Sequence, residues 1–413
     1  MRTAQPGAKD PGSQRSVMDQ GRYDRLPAYP FPRLRALLSG AEPGMAAINL
    51  SIGEPQHPVP DFIPKALAAD PALYGRYPPM EGTPALRQAI AAWLSRRYRL
   101  PSGFIDATQH VLPLNGTREG LFNACIALSP ALKDGQMPAV LIPNPFYQCY
   151  AGAAVAAGAE PCFVPALAKN RFLPDFAALP EKLLARTSAL YLCSPANPQG
   201  TCATLEDWTG LIALARRYDI LLFADECYAE IYFDTPPVGA LEAAARTGSL
   251  SHVLAFHSLS KRSNLPGLRS GFVAGDAKLI ARFLSFRQYG GAPLPLPTQA
   301  ASAAAWAEER HVEENRARYR RKFDLAGQIL GNRFGYYRPD GGFYLWLDVG
   351  DGEAAALRLW REAGIRVLPG RYLGHDEIEG EPKSNPGYPF IRIALVADEA
   401  TTETALRRIA ACL

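Results

Sequence analysis

Between about residues 110 and 275 the chain alternates short apolar runs with stretches of helical period, and few folds accept that pattern. The runs are Val111–Leu114, Val140–Ile142, Cys162–Val164, Ala189–Cys193, Leu221–Ala224, Val253–Phe256 and Gly271–Ala274. They are almost continuously apolar, which suits strands covered on both faces. Between several of them lie helical signals. One helix starts at Thr204, with Asp207 in its first turn and Trp208, Leu211, Ile212 and Ala215 on one face. Seven strands joined by such helices imply an α/β fold with a mostly parallel seven-stranded sheet. Upstream, Thr83-Pro84 starts another helix, with Thr as N-cap and a buried stripe of Leu86, Ile90, Trp93 and Leu94.

The flanks differ in texture. Residues 1–22 are polar and rich in Gly, Pro, Gln and Ser, and are expected to form a disordered extension. Residues 23–60 read as an arm with a short helix and an extended piece at Ile48–Pro55, serving partly as a piece of a smaller domain. Residues 61–300 form the expected large domain. A long helix over 300–330, alanine-rich and then heavily charged, reads as a solvated connector. Strands at Gly341–Leu347, Ile365–Leu368 and Phe390–Leu395, with helices at 353–363 and 399–411, make 301–413 the connector and a small α+β domain. A length of 413 residues accommodates one large and one smaller domain.

Composition narrows the function. A net charge of +4 without a dense basic block gives nucleic-acid binding no support. No apolar run approaches membrane-spanning length. The seven cysteines form no C-x-x-C pair, and most lie in apolar segments, as reduced thiols do. The six histidines offer no H-x-x-x-H pair, so no metal site is indicated. Residues 1–20 lack the apolar stretch of a secretory signal, and the expected location is the cytoplasm.

Open α/β sheets bind ligands beyond the carboxyl ends of their strands, so the polar residues that follow the apolar runs carry the chemistry. Ser258, Lys261 and Arg269 follow the sixth run. An amine that holds an aldehyde as a Schiff base, beside a serine and an arginine that grip a phosphate, suits pyridoxal 5′-phosphate. The other runs supply partners for that molecule. Gly116, Thr117 and Arg118 open a helix whose N–H groups favour an anion. Asn197, between Pro195 and Pro198, is an amide on a stiff turn, suited to the ring oxygen. Asp225 ends a buried strand, where a carboxylate needs a partner such as a protonated ring nitrogen, and Tyr228 stands three residues on. Either Phe146 or Tyr147 can stack on the ring. Arg392, in an otherwise apolar strand, needs a carboxylate, which a substrate would supply.

Asn197-Pro198, Asp225-x-x-Tyr228, Ser258-x-x-Lys261, Arg269 and Arg392, in this order, resemble the class I/II aminotransferases of fold type I over about residues 25–413. The resemblance implies a homodimer in which Tyr77 reaches the neighbouring subunit's phosphate, and it places Gly53 near the substrate carboxylate. Gln199 departs from the family's usual Thr in the N-P-T-G turn. Ser51–Pro55, Tyr77–Pro84, Asn115–Glu119, Pro143–Gln148 and Ser260–Gly271 resemble more narrowly the succinyldiaminopimelate transaminases. That likeness implies amino transfer between N-succinyl-LL-2,6-diaminopimelate and 2-oxoglutarate, in lysine biosynthesis. Such a substrate has carboxylates beyond the reacting carbon, and Arg118, Arg262 and Arg76 are the candidates to meet them. Aminotransferases acting on aspartate, alanine or LL-diaminopimelate remain open, as do a C–S lyase and a cofactor-binding regulator.

Overall fold

The computed structural model describes residues 21–413. The extension expected over 1–22 therefore lies outside the described residues, apart from Gly21 and Arg22 at a short turn, Arg22–Arg25. The strands run in chain order as β1 (Ile48–Asn49), β2 (Val111–Leu114), β3 (Ala139–Asn144), β4 (Glu160–Pro165), β5 (Thr187–Cys193), β6 (Leu221–Asp225) and β7 (Val253–Ser258). They continue as β8 (Gly271–Gly275), β9 (Tyr344–Asp348), β10 (Ile365–Arg366), β11 (Leu368–Pro369) and β12 (Phe390–Ala394).

All seven apolar runs are strands of one sheet, ordered β2-β8-β7-β6-β5-β3-β4. Strand β8 is antiparallel to both of its neighbours, and the remaining pairings are parallel. Alternate residues feed two cores. Leu190, Leu222, Val253 and Phe272 enter one, with Trp93, Trp208 and Trp306. Ala189, Tyr191, Phe223, Leu254 and Val273 enter the other, with Leu121, Ala151 and Phe283. A side-chain period of two on a sheet buried on both faces requires both. The helices start where the sequence marks them. Thr83 caps Pro84–Arg97, and Thr204 forms a capping box with Asp207 on Leu205–Tyr218.

The C-terminal part packs a separate core around the antiparallel sheet β11-β12-β9, and Leu50 joins it from the N-terminal arm. Two expectations need correction here. The helix over 300–330 is two helices, Leu296–Ala307 and Arg310–Leu330, and the second buries Val312, Asn315, Tyr319, Lys322 and Phe323 rather than being solvated. The break has a local cause: the Glu308 carboxylate accepts from the N–H groups of Arg310 (2.8 Å) and His311 (3.1 Å), starting a new helix. The single strand expected at Ile365–Leu368 is divided between two sheets, β10 beside β1 and β11 beside β12. Among the described residues no helix is long and apolar enough to cross a membrane.

Candidate active site

The carboxyl ends of β2, β3, β5, β6 and β7 open on one side of the sheet, and the loop that carries Arg269 enters antiparallel β8 from the same side. A cavity of about 550 Å³ lies there, closed from the other side by Gly53, Tyr344 and Arg392. It brings together Gly53, Thr117, Arg118, Tyr147, Asn197, Asp225, Tyr228, Ser258, Lys261, Arg269 and Arg392, all singled out from the sequence.

Asp225 is almost fully buried and accepts hydrogen bonds from the Tyr150 hydroxyl (2.6 Å) and the Cys227 N–H (3.2 Å). Burial pushes its carboxyl above the usual range, and no cationic side chain pairs with it among the described residues. Lys261 Nζ donates to the Gly53 carbonyl. Desolvation brings the amine down to about 8, helped by Arg392 and Arg118 and opposed by Cys227 and Glu54. At Gly53 an added Cβ would collide with the Tyr344 hydroxyl, so this close approach requires glycine.

Arg392 donates to the Ser51 carbonyl (2.9 Å) and to Asn197 Oδ1 (3.1 Å), and its guanidinium lies 4.3 Å from the Tyr344 ring centroid. Among the described residues its buried Nε has no partner and no carboxylate pairs with it. Because Asn197 spends its oxygen on Arg392, its amide N–H groups stay available to the cavity. Burial pushes the Tyr228 hydroxyl well up, and Tyr344 is its partner at 3.1 Å.

Gly116 caps the helix Thr117–Leu128 at φ +85, ψ 159. An added Cβ there would meet the Arg269 guanidinium, so glycine lets the cation rest against the helix N-terminus. Arg269 donates to the carbonyls of Pro266 (2.8 Å) and Asn115 (3.2 Å). Thr117 Oγ1 lies 2.8 Å from Cys227 Sγ, and Ser258 Oγ lies 3.0 Å from Ser260 Oγ.

A family model for aminotransferase class I and II matches residues 46–409. The chain belongs to the class I and II aminotransferases. A transaminase of 4-dedimethylamino-4-oxo-anhydrotetracycline from Streptomyces rimosus is 36% identical over 88% of this aminotransferase and 92% of its own length. An LL-diaminopimelate aminotransferase from Desulforudis audaxviator is 33% identical over 96% and 98%. The crystal structure of an aminotransferase from Neisseria meningitidis superposes with a TM-score of 0.89 at 44% identity, over 94% of this aminotransferase and 98% of that chain. The cofactor of the family is pyridoxal 5′-phosphate, and the cavity fits it. A buried carboxylate without a cation suits the ring nitrogen, and the helix end beside Arg269 suits the phosphate.

Several expectations sort themselves against this aminotransferase. Of the two aromatic candidates, Tyr147 lines the cavity, whereas Phe146 is buried in the core against Phe163. Arg262 must be withdrawn as a substrate contact. Its guanidinium points away from the cavity and donates to Ala305 O (2.7 Å), Glu308 O (3.3 Å) and Glu309 (2.7 Å), between the rings of Trp93 and Trp306. Arg76 and the wholly exposed Tyr77 lie apart, in a surface depression with Pro293 and Leu296. Tyr150, Ser260 and Tyr344 line the cavity but were not singled out from the sequence. Tyr150 had a signal, standing three residues after Tyr147 where a helix begins. Tyr344 had none, since its strand read as ordinary core.

Proposed function

We propose that this aminotransferase moves an amino group between N-succinyl-LL-2,6-diaminopimelate and 2-oxoglutarate, reversibly, with glutamate as donor in the other direction. Bound pyridoxal phosphate supplies an aldehyde that takes up the amino group and a cationic ring that withdraws electron density from the α-carbon. Asp225 holds the proton on the ring nitrogen. With the cofactor bound, Lys261 Nζ would anchor it and, once released, would take and return the proton of the substrate α-carbon. Asn197 and Tyr228 donate to the ring oxygen, and Tyr147 covers the ring face. Gly116, Thr117, Ser258, Ser260 and Arg269 hold the phosphate. Arg392 pairs with the α-carboxylate beside Gly53.

One observation supports a substrate with more than one carboxylate. Arg118, Arg269 and Arg392 line the cavity, and none of them has a carboxylate partner among the described residues. Three guanidinium groups without a carboxylate match the phosphate, the α-carboxylate and one distal carboxylate, a set that any dicarboxylic amino acid supplies. Arg118, exposed at the mouth and bonded to the Tyr147 hydroxyl at 2.5 Å, takes the last. The choice of the succinylated compound among such substrates rests on the narrow motif resemblance. The second reading, LL-diaminopimelate itself, rests on the relative of that name.

A half-reaction screen tests this. The cofactor-loaded enzyme is mixed with N-succinyl-LL-diaminopimelate, LL-diaminopimelate, glutamate, aspartate and alanine, and the cofactor's visible absorbance is followed. The succinylated compound and glutamate should react fastest, and Arg118→Ala should cost about tenfold or more in kcat/KM on the succinylated compound while sparing alanine. Preference for unsuccinylated LL-diaminopimelate would establish the second reading.

A further inference from the structure

Behind the Lys261 loop, Asn315, Tyr319 and Lys322 follow one buried face of the helix Arg310–Leu330. Asn315 Nδ2 donates to the carbonyls of Lys261 (3.3 Å) and Arg262 (3.4 Å). Carbonyl oxygens only accept, so the amide nitrogen must face them and Oδ1 must face His57, whose Nδ1 is 2.7 Å away. Nδ1 therefore carries the ring proton, and Nε2 is left as an acceptor. Lys322 Nζ donates to Nε2 at 2.7 Å, and it also donates to Leu395 O at 3.0 Å. Every donor in the chain points the same way, from Lys322 through His57 and Asn315 to the backbone of Lys261. A neutral Lys322 amine still has two N–H groups for its two acceptors, so loss of its proton leaves the chain intact.

The relay touches three separate walls of the cavity. It ends on the Lys261 loop. His57 stands four residues beyond Gly53, whose carbonyl accepts from Lys261 Nζ. Leu395 stands three residues beyond Arg392 on the same strand end. We propose that His57, Asn315 and Lys322 are positioning residues, whose directed relay holds the Lys261 loop, the Gly53 segment and the Arg392 strand in one register. The proton-transferring amine and the carboxylate-binding guanidinium then face the same substrate carbon. This inference rests on the roles given above to Lys261 and Arg392.

The variants are His57→Phe, Asn315→Leu and Lys322→Met. His57→Phe preserves a ring to pack on Tyr319 (centroids 4.5 Å apart in the parent) and removes both nitrogens at a half-buried position, so it should fold. For each variant, steady-state kinetics are read beside the pH midpoint of the cofactor's visible absorbance, which packing alone does not move. In each, kcat should fall by about tenfold and the midpoint shift by about half a unit or more, since misplacing reacting groups by a fraction of an ångström is costly. The His57→Phe/Lys322→Met double variant should match its worse single variant to within about twofold, because members of one network do not add. Unchanged kcat and midpoint, or losses that multiply in the double variant, overturn the relay. Should Lys322→Met or Asn315→Leu fail to fold, His57→Phe alone decides. Lys261→Ala is run alongside. If it retains turnover, the reading of Lys261 itself falls. If it is dead while the relay variants behave as the parent, only the relay falls.

Discussion

Lys261 shows how far burial alone can prepare a side chain. An ordinary lysine, at 10.5, leaves about three amines in ten thousand neutral at pH 7; at about 8, roughly one in ten is neutral. Only the neutral amine attacks an aldehyde. Uptake of pyridoxal phosphate by the cofactor-free protein should therefore quicken about tenfold from pH 6 to 7 and level off above about 8. Stopped-flow absorbance measures this, and a rate still climbing through pH 10 contradicts a lowered amine. Most of the site was legible at this scale because the residues that matter break a pattern: Asp225, Asn197 and Arg392 are polar where their neighbours are apolar. Arg262 was misread for a geometric reason. It shares the short helix Leu259–Arg262 with Lys261, and neighbouring helical side chains diverge by about 100°. If one faces the cofactor, the next faces the core.

At the scale of elements, the helix Thr117–Leu128 depends on the glycine before it. Gly116 has a backbone conformation that is nearly closed to other residues, and its missing Cβ is the space that Arg269 occupies. Gly116→Ala should weaken pyridoxal phosphate binding by about tenfold or more while far-ultraviolet circular dichroism stays unchanged, a strain of roughly 1–3 kcal/mol falling on one loop. Equilibrium dialysis reads the affinity, and parental binding would show that the contact is dispensable. The seven strands of the large sheet were legible because each is apolar along its own length. Elements that exist only through a distant partner were not. β1 is two residues held by β10, which lies more than 300 positions later, and neither has a period to detect. The break at Glu308 depends on a capping carboxylate, which in the sequence is one more charge in a charged stretch.

At the scale of the whole molecule, Tyr77 is a fully exposed aromatic side chain remote from the cavity of its own chain. Paired with the family resemblance, this supports the expectation of a homodimer in which Tyr77 would complete a neighbouring site. Sedimentation should give about twice 44.9 kDa, and Tyr77→Ala should weaken cofactor retention although it touches nothing in its own cavity. A monomer with full cofactor affinity would rule the arrangement out. Division of labour within the chain also bears on how such an enzyme changes its substrate over generations. In the proposed mechanism position 261 answers to the chemistry, while position 262 holds the free carbonyls at a helix end some forty residues away, wedged between two tryptophans. The residue beside the reactive amine is thus committed to the scaffold. A change of substrate is more accessible at the cavity's rim, where Tyr29, Phe31 and Arg118 line the opening.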